Sequence, residues 1–127
     1  MVRKNHSETQ YSPACQWREV VELIGDKWTV LILRALCHKQ LRYSELHRQI
    51  EGISQKVLTA SLRDLERDGI VKRTVHPVVP PKVEYELTEL GFSVFEVVDA
   101  LHGWSVEHLA DIQAARERYD ALRLQTA

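Results

Sequence analysis

The sequence predicts a mostly helical α+β chain of the winged helix-turn-helix class. Three observations predict it. Two short helical patterns, near residues 43–50 and 54–68, are joined by a tight turn at Gly52. Two short β-type segments follow them, separated by a tip that holds three prolines. Apolar helical patterns flank this module on both sides, with more apolar surface than so small a unit buries alone. The wing is therefore expected to be two-stranded, and the N- and C-terminal helices to form a dimer interface.

The length of 127 residues fits one domain, 1–127, large enough to hold a real core without disulfides or a structural metal. Residues 1–14 are expected as a loose arm and residues 105–127 as a C-terminal dimerisation helix. From Cys15 to Ile24 the apolar positions Trp17, Val20, Val21 and Ile24 recur at helical spacing, and Gly25 breaks the run. Asp26 can cap a second helix from about Lys27 to Leu36, apolar almost all round as a central helix is. Tyr43 to Ile50 carries Leu46 and Ile50 four residues apart. Ser54 is a natural N-cap for the next helix, whose Leu58, Leu62 and Leu65 share one face, and Gly69 stands where a C-terminal glycine is expected.

Ile70–Val75 is rich in β-branched residues, and Lys82–Leu87 alternates. Pro77, Pro80 and Pro81 between them exclude a regular strand and predict a stiff hairpin tip. Thr88 can cap a long helix from Glu89, which Gly103 is expected to weaken, and a last helix should cover about Glu107 to Leu124.

The formal net charge is −1, which disfavours a protein that coats nucleic acid through bulk charge. Resolved along the chain, the balance reads differently. Residues 1–33 are neutral, residues 34–83 carry ten basic and five acidic groups, and residues 84–127 carry three basic and nine acidic groups. The excess positive charge sits on the helix-turn-helix and wing, and the negative charge on the C-terminal helices.

Five motifs occur in order: Gly25-Asp26-Lys27-Trp28, Arg42-Tyr43-Ser44-Glu45-Leu46, the run from Gly52 to Thr59, the run from Leu62 to Val71, and the run from Val83 to Gly91. Together they resemble the HxlR-type bacterial transcription regulators, relatives of the MarR group, over about Cys15 to Trp104. The resemblance implies a cytoplasmic, homodimeric, DNA-binding regulator without enzymatic activity. The sequence departs from the family in two places: Gln16 follows Cys15 where proline is frequent, and Cys37–Gln40 lacks a glycine often found there.

Candidate site residues follow from the module. Ser54, Gln55, Lys56, Thr59 and Arg63 lie opposite the leucine stripe of a helix sized for the major groove. Gln pairs bidentately with adenine, and Arg or Lys with guanine. Gln55, Thr59 and Arg63 are expected at bases, and Ser54 and Lys56 at the backbone. A solvated polar helix face is the alternative reading of the same pattern. Arg42, where the first helix of the motif begins, is expected at a phosphate, and His76 and Lys82, flanking the wing tip, at the backbone or minor groove.

Cys15 is a candidate regulatory thiol, since the start of a helix favours the thiolate. Proteins of the resembling family include some that sense oxidants or electrophiles through a cysteine at this place. A passive thiol is the alternative, and Cys37 is expected as a small core residue.

The expected partners are a double-stranded, pseudo-palindromic DNA operator and a second copy of the chain, with room for a small-molecule or oxidant effector. No cofactor and no metal is expected: no histidine pair has i, i+4 spacing, and no Cys-x-x-Cys occurs. No secretory signal or membrane span is visible, so a cytoplasmic protein is expected. A protein–protein module that keeps the winged fold without binding DNA is the competing class, motivated by the acidic C-terminal helices. A thiol enzyme on Cys15 lacks a base with a defined relation to it.

Overall fold

A computed structural model describes residues 17–126. The loose arm expected over residues 1–14, and Cys15, lie outside the described residues. The chain divides into two units, residues 1–95 and residues 96–127.

The first unit begins with α1 (Trp17–Gly25) and α2 (Lys27–Leu36). Asp26 separates them: its Oδ1 accepts the backbone N–H groups of Trp28 at 2.8 Å and Thr29 at 3.1 Å. That satisfies two of the donors a helix start leaves open. Helix α2 buries Thr29, Ile32, Leu33 and Leu36, as its nearly all-apolar surface predicts.

Helices α3 (Tyr43–Gln49) and α4 (Gln55–Arg67) form the helix-turn-helix. Between them Gly52 takes φ +85°, a left-handed conformation that favours glycine. The side chain of Ser54 accepts the Val57 N–H at 3.1 Å and caps α4. At the other end Gly69 takes φ +76°. The Ile70 N–H then reaches the Leu65 carbonyl at 2.9 Å, and the Gly69 N–H reaches that of Glu66 at 3.1 Å. Both bonds of a Schellman cap are made, and the chain is turned straight into the sheet. Leu58, Leu62 and Leu65 are buried on one face of α4, packed in the same core as Leu41, Leu46 and Val71.

The sheet has three strands, β1 (Leu41–Arg42), β2 (Val71–His76) and β3 (Lys82–Leu87), all antiparallel in the order β1-β3-β2. The expected hairpin is there as β2 and β3. The third strand was not expected. Two residues carry no period, and β1 exists because Leu41 and Arg42 pair with Tyr85 and Glu84.

Helix α5 runs from Glu89 to Thr126 as one element of 38 residues. Its first turn belongs to the first unit, where Thr88 caps it by accepting the Gly91 N–H at 3.0 Å. The Thr88 hydroxyl is also bonded to the carbonyls of Gly69, at 2.5 Å, and Ile70, at 3.2 Å. The first unit includes α5 as far as Phe95, and the rest of the helix lies in the second unit. The break expected near Gly103, and with it a separate helix from residue 105, does not occur. One interior glycine costs roughly 1 kcal/mol relative to alanine, and the flanking Ala100, Leu101, Glu107 and Leu109 sustain the helix. None of the described helices is long and apolar enough to cross a membrane.

Candidate nucleic-acid interface

The leucine stripe of α4 decides what its other face can do. With Leu58, Leu62 and Leu65 held in the core, Gln55, Lys56, Thr59 and Arg63 are exposed, as is Ser54 at the cap. All five expected groove residues therefore share the solvent side of one helix end or face. Among the described residues, neither Lys56 nor Arg63 has an ion-pair partner.

Tyr43 fixes α3 against α4. Its Oη lies 3.0 Å from the Gln55 carbonyl and 3.0 Å from Thr59 Oγ1, and its ring stacks on His47 at a 3° interplanar angle. The first turn of α4 is thus oriented by a phenol on the preceding helix. Sequence reasoning singled out Arg42 at this point and missed the role of its neighbour. Thr59, expected at a base, has its hydroxyl engaged with Tyr43. Replacing Tyr43 with phenylalanine is expected to cost about 0.5–1.5 kcal/mol of stability, the usual worth of such bonds. Urea unfolding checks this, and an unchanged midpoint would show that the phenol does not hold the two helices.

Arg42 precedes α3, and its N–H donates to Glu45 Oε1 at 2.9 Å. The capping carboxylate comes from Glu45, so the Arg42 side chain is left to solvent, with no ion-pair partner among the described residues. It lines an open cleft with Tyr43, Ser44 and the wing residues Val78–Val83, which include Lys82.

His76 and Lys82 come together, opposite each other in the hairpin register. Both meet Glu84: His76 Nε2 lies 2.9 Å and Lys82 Nζ 3.1 Å from Oε1, while Gln40 Nε2 donates to Oε2 at 2.7 Å. Sequence reasoning did not single out Glu84. The hydrogen bond from Lys82 holds its carboxyl below the usual carboxylate range, against the opposing pull of desolvation and with help from the charge of Lys82 and from His76.

Cys37, expected in the core, is half-buried at the end of α2, and its thiol donates to the Arg34 carbonyl at 3.0 Å. Among the described residues, no group of three or more His, Cys, Asp or Glu is placed to hold a metal.

The geometry has counterparts among known proteins. The family model for HxlR-like helix-turn-helix proteins matches residues 23–113. The HTH-type transcriptional regulator YtfH of Escherichia coli is 45% identical over 107 residues, covering 84% of this chain and 85% of that protein. A solved structure of the ytfH regulator of Salmonella typhimurium is 44% identical with a TM-score of 0.75, covering 84% of this chain and 96% of that one. The redox regulator HypR in its oxidized form is 38% identical with a TM-score of 0.67, covering 73% of this chain and 96% of that one.

Proposed function

The chain belongs to the HxlR-like helix-turn-helix family of transcriptional regulators, which are not enzymes, and from that premise we propose that it acts as a homodimer on a pseudo-palindromic DNA operator. The observation that carries the reading is the exposed polar face of α4. Gln55, Lys56, Thr59 and Arg63 stand opposite a buried leucine stripe, on a helix that fits a major groove about 12 Å wide. Ser54 and Lys56 meet the backbone, Gln55 and Arg63 meet base edges, and Thr59, with its hydroxyl held by Tyr43, meets a base through its methyl group. Arg42 takes a phosphate beside the start of α3. His76 and Lys82 lie along the flanking backbone from the wing, both in contact with Glu84. The protein works in the cytoplasm, where its operator is.

Exposed apolar surface supports the dimer. Helix α1 has no buried residue, and its Val20 and Val21 are about half exposed. In the second unit Leu101, Trp104, Leu109 and Leu122 are each exposed by half or more. A partner copy removes such surface from water at roughly 25 cal/mol per Å². Two recognition helices then face half-sites about 10 base pairs, or a multiple, apart.

Binding to the DNA upstream of its own gene tests the function. The complex is expected to contain two chains of 14.7 kDa, and its affinity to fall with salt in the slope of several released counterions. Sedimentation as a monomer would remove the dimer. Absence of salt-dependent affinity would favour the protein–protein module instead.

Cys15 is the redox element of the proposal. The likeness to HypR, a redox regulator, supports it, as does the preference for thiolate at a helix start. Oxidant should change operator affinity in the wild type and leave Cys15→Ser unmoved. Equal responses in both would make the thiol a bystander.

A further inference from the structure

Glu84 is a carboxylate set among the cations of the basic module. In the sheet register it faces Arg42 of β1 on one side and Thr74 of β2 on the other, so these three side chains leave the sheet on one face. Lys82 and His76 share its Oε1, and Gln40 holds its Oε2. The residue is only 9% exposed, while the Lys82 and His76 side chains above it keep 36% and 41% of their surface. A phosphate that met the Lys82 ammonium or accepted a hydrogen bond from His76 would lie well within one Debye length of this buried charge, about 8 Å at physiological salt. The lowered pKa keeps the carboxylate ionised at neutral pH.

We propose that Glu84 is an electrostatic brake on the wing: its carboxylate counter-charges Lys82, engages His76, and lowers affinity for DNA backbone of any sequence. Stable binding then depends on base contacts from α4. The brake rests on the DNA-binding reading above and extends it to a residue with no contact of its own to a base. Its chemistry is that of an internal phosphate substitute, an anion already seated where the wing's cations would meet the duplex. Gln40 anchors that anion from the loop before β1, so the carboxylate stays with the protein when the duplex arrives.

The full chain would be titrated with a 24-base-pair duplex of arbitrary sequence at several potassium chloride concentrations. Glu84→Gln removes one charge from each wing of the dimer and is expected to tighten binding about ten-fold or more, at about three- to ten-fold for each charge a few ångströms from a phosphate, and to steepen the salt slope by roughly 1.8, about 0.9 for each chain. Glu117→Gln makes the same change in net charge at an exposed site in the second unit, and should leave both quantities unchanged. Should Glu84→Gln fail to fold by thermal melting, Glu84→Leu is neutral and suits the buried position. Unchanged or weaker binding by a folded Glu84 variant overturns the brake, and so does equal tightening by Glu117→Gln. A wild type without salt-dependent affinity overturns the DNA-binding reading itself, so the two failures are distinct.

Discussion

Gly91→Ala is expected to destabilise the protein by about 3 kcal/mol, at the upper end of what overpacking usually costs. Helix propensity alone predicts the opposite sign, since alanine is the better helix former by roughly 1 kcal/mol. The steric argument wins because of where the first turn of α5 sits. A Cβ at Gly91 would lie 2.2 Å from the Ile70 carbonyl oxygen and 3.2 Å from its carbon. These are backbone atoms, and they cannot swing aside. The same carbonyl accepts the Thr88 N–H at 3.1 Å and the Thr88 hydroxyl at 3.2 Å. Moving it breaks the cap of α5 and disturbs the Schellman turn that ends α4. Gly103 is the internal control: a Cβ there meets nothing within 4 Å, so Gly103→Ala should stabilise by about 0.5–1 kcal/mol. Thermal unfolding of the two variants should give shifts of opposite sign, on the order of 10 °C downward for Gly91→Ala. A neutral or raised melting temperature for Gly91→Ala would mean that α5 does not approach Ile70 so closely.

That contact also shows which parts of the fold could be read from sequence. Helix α4 was legible at every level: a cap at Ser54, leucines at i, i+4 and i+7, and a glycine just past the end. Local signals agree there because the helix is specified by its own residues. The hairpin was legible for the same reason, through alternation in Lys82–Leu87 and prolines at the tip. Strand β1 was not, because two residues become a strand only when β3 lies beside them. Gly91 was visible as part of a motif, but its purpose depends on Ile70, twenty-one positions away. Glu84 was hidden in the same way. Lys82 shares its strand face by the period of two, but Gln40 and His76 come from separate stretches of chain, and no spacing rule brings them to it. At Gly103 the sequence signal misled, since a weak helix breaker in a long run of good helix formers lowers stability without ending the helix. The exposed polar set on α4 was legible as a face, because burial of the leucines leaves those side chains no other direction. The tie from Tyr43 to Thr59 was not, because it joins two helices.

Gln55→Ala with Arg63→Ala removes four base contacts from the dimer and is expected to lower operator affinity about 1,000-fold or more while leaving the melting temperature within a degree or two. Both side chains are exposed, and among the described residues neither makes a side-chain hydrogen bond or ion pair, so their removal creates neither a cavity nor a buried orphan. Each bidentate base contact is worth roughly 1–3 kcal/mol of discrimination. Eight residues separate the two positions, about 12 Å along the helix axis, so the losses should add. The two single variants should differ in kind. Gln55→Ala removes no charge, so the salt slope stays fixed while discrimination at one base pair relaxes. Arg63→Ala relaxes a different base pair if it reads guanine, and instead flattens the slope by roughly 1.8, about 0.9 for each chain, if it holds a phosphate. Titrations against the operator and a scrambled duplex, each at several salt concentrations, separate these outcomes. If the double variant binds operator as the wild type does, the exposed face of α4 is not the reading face. The solvated-surface interpretation of the same residues would then stand.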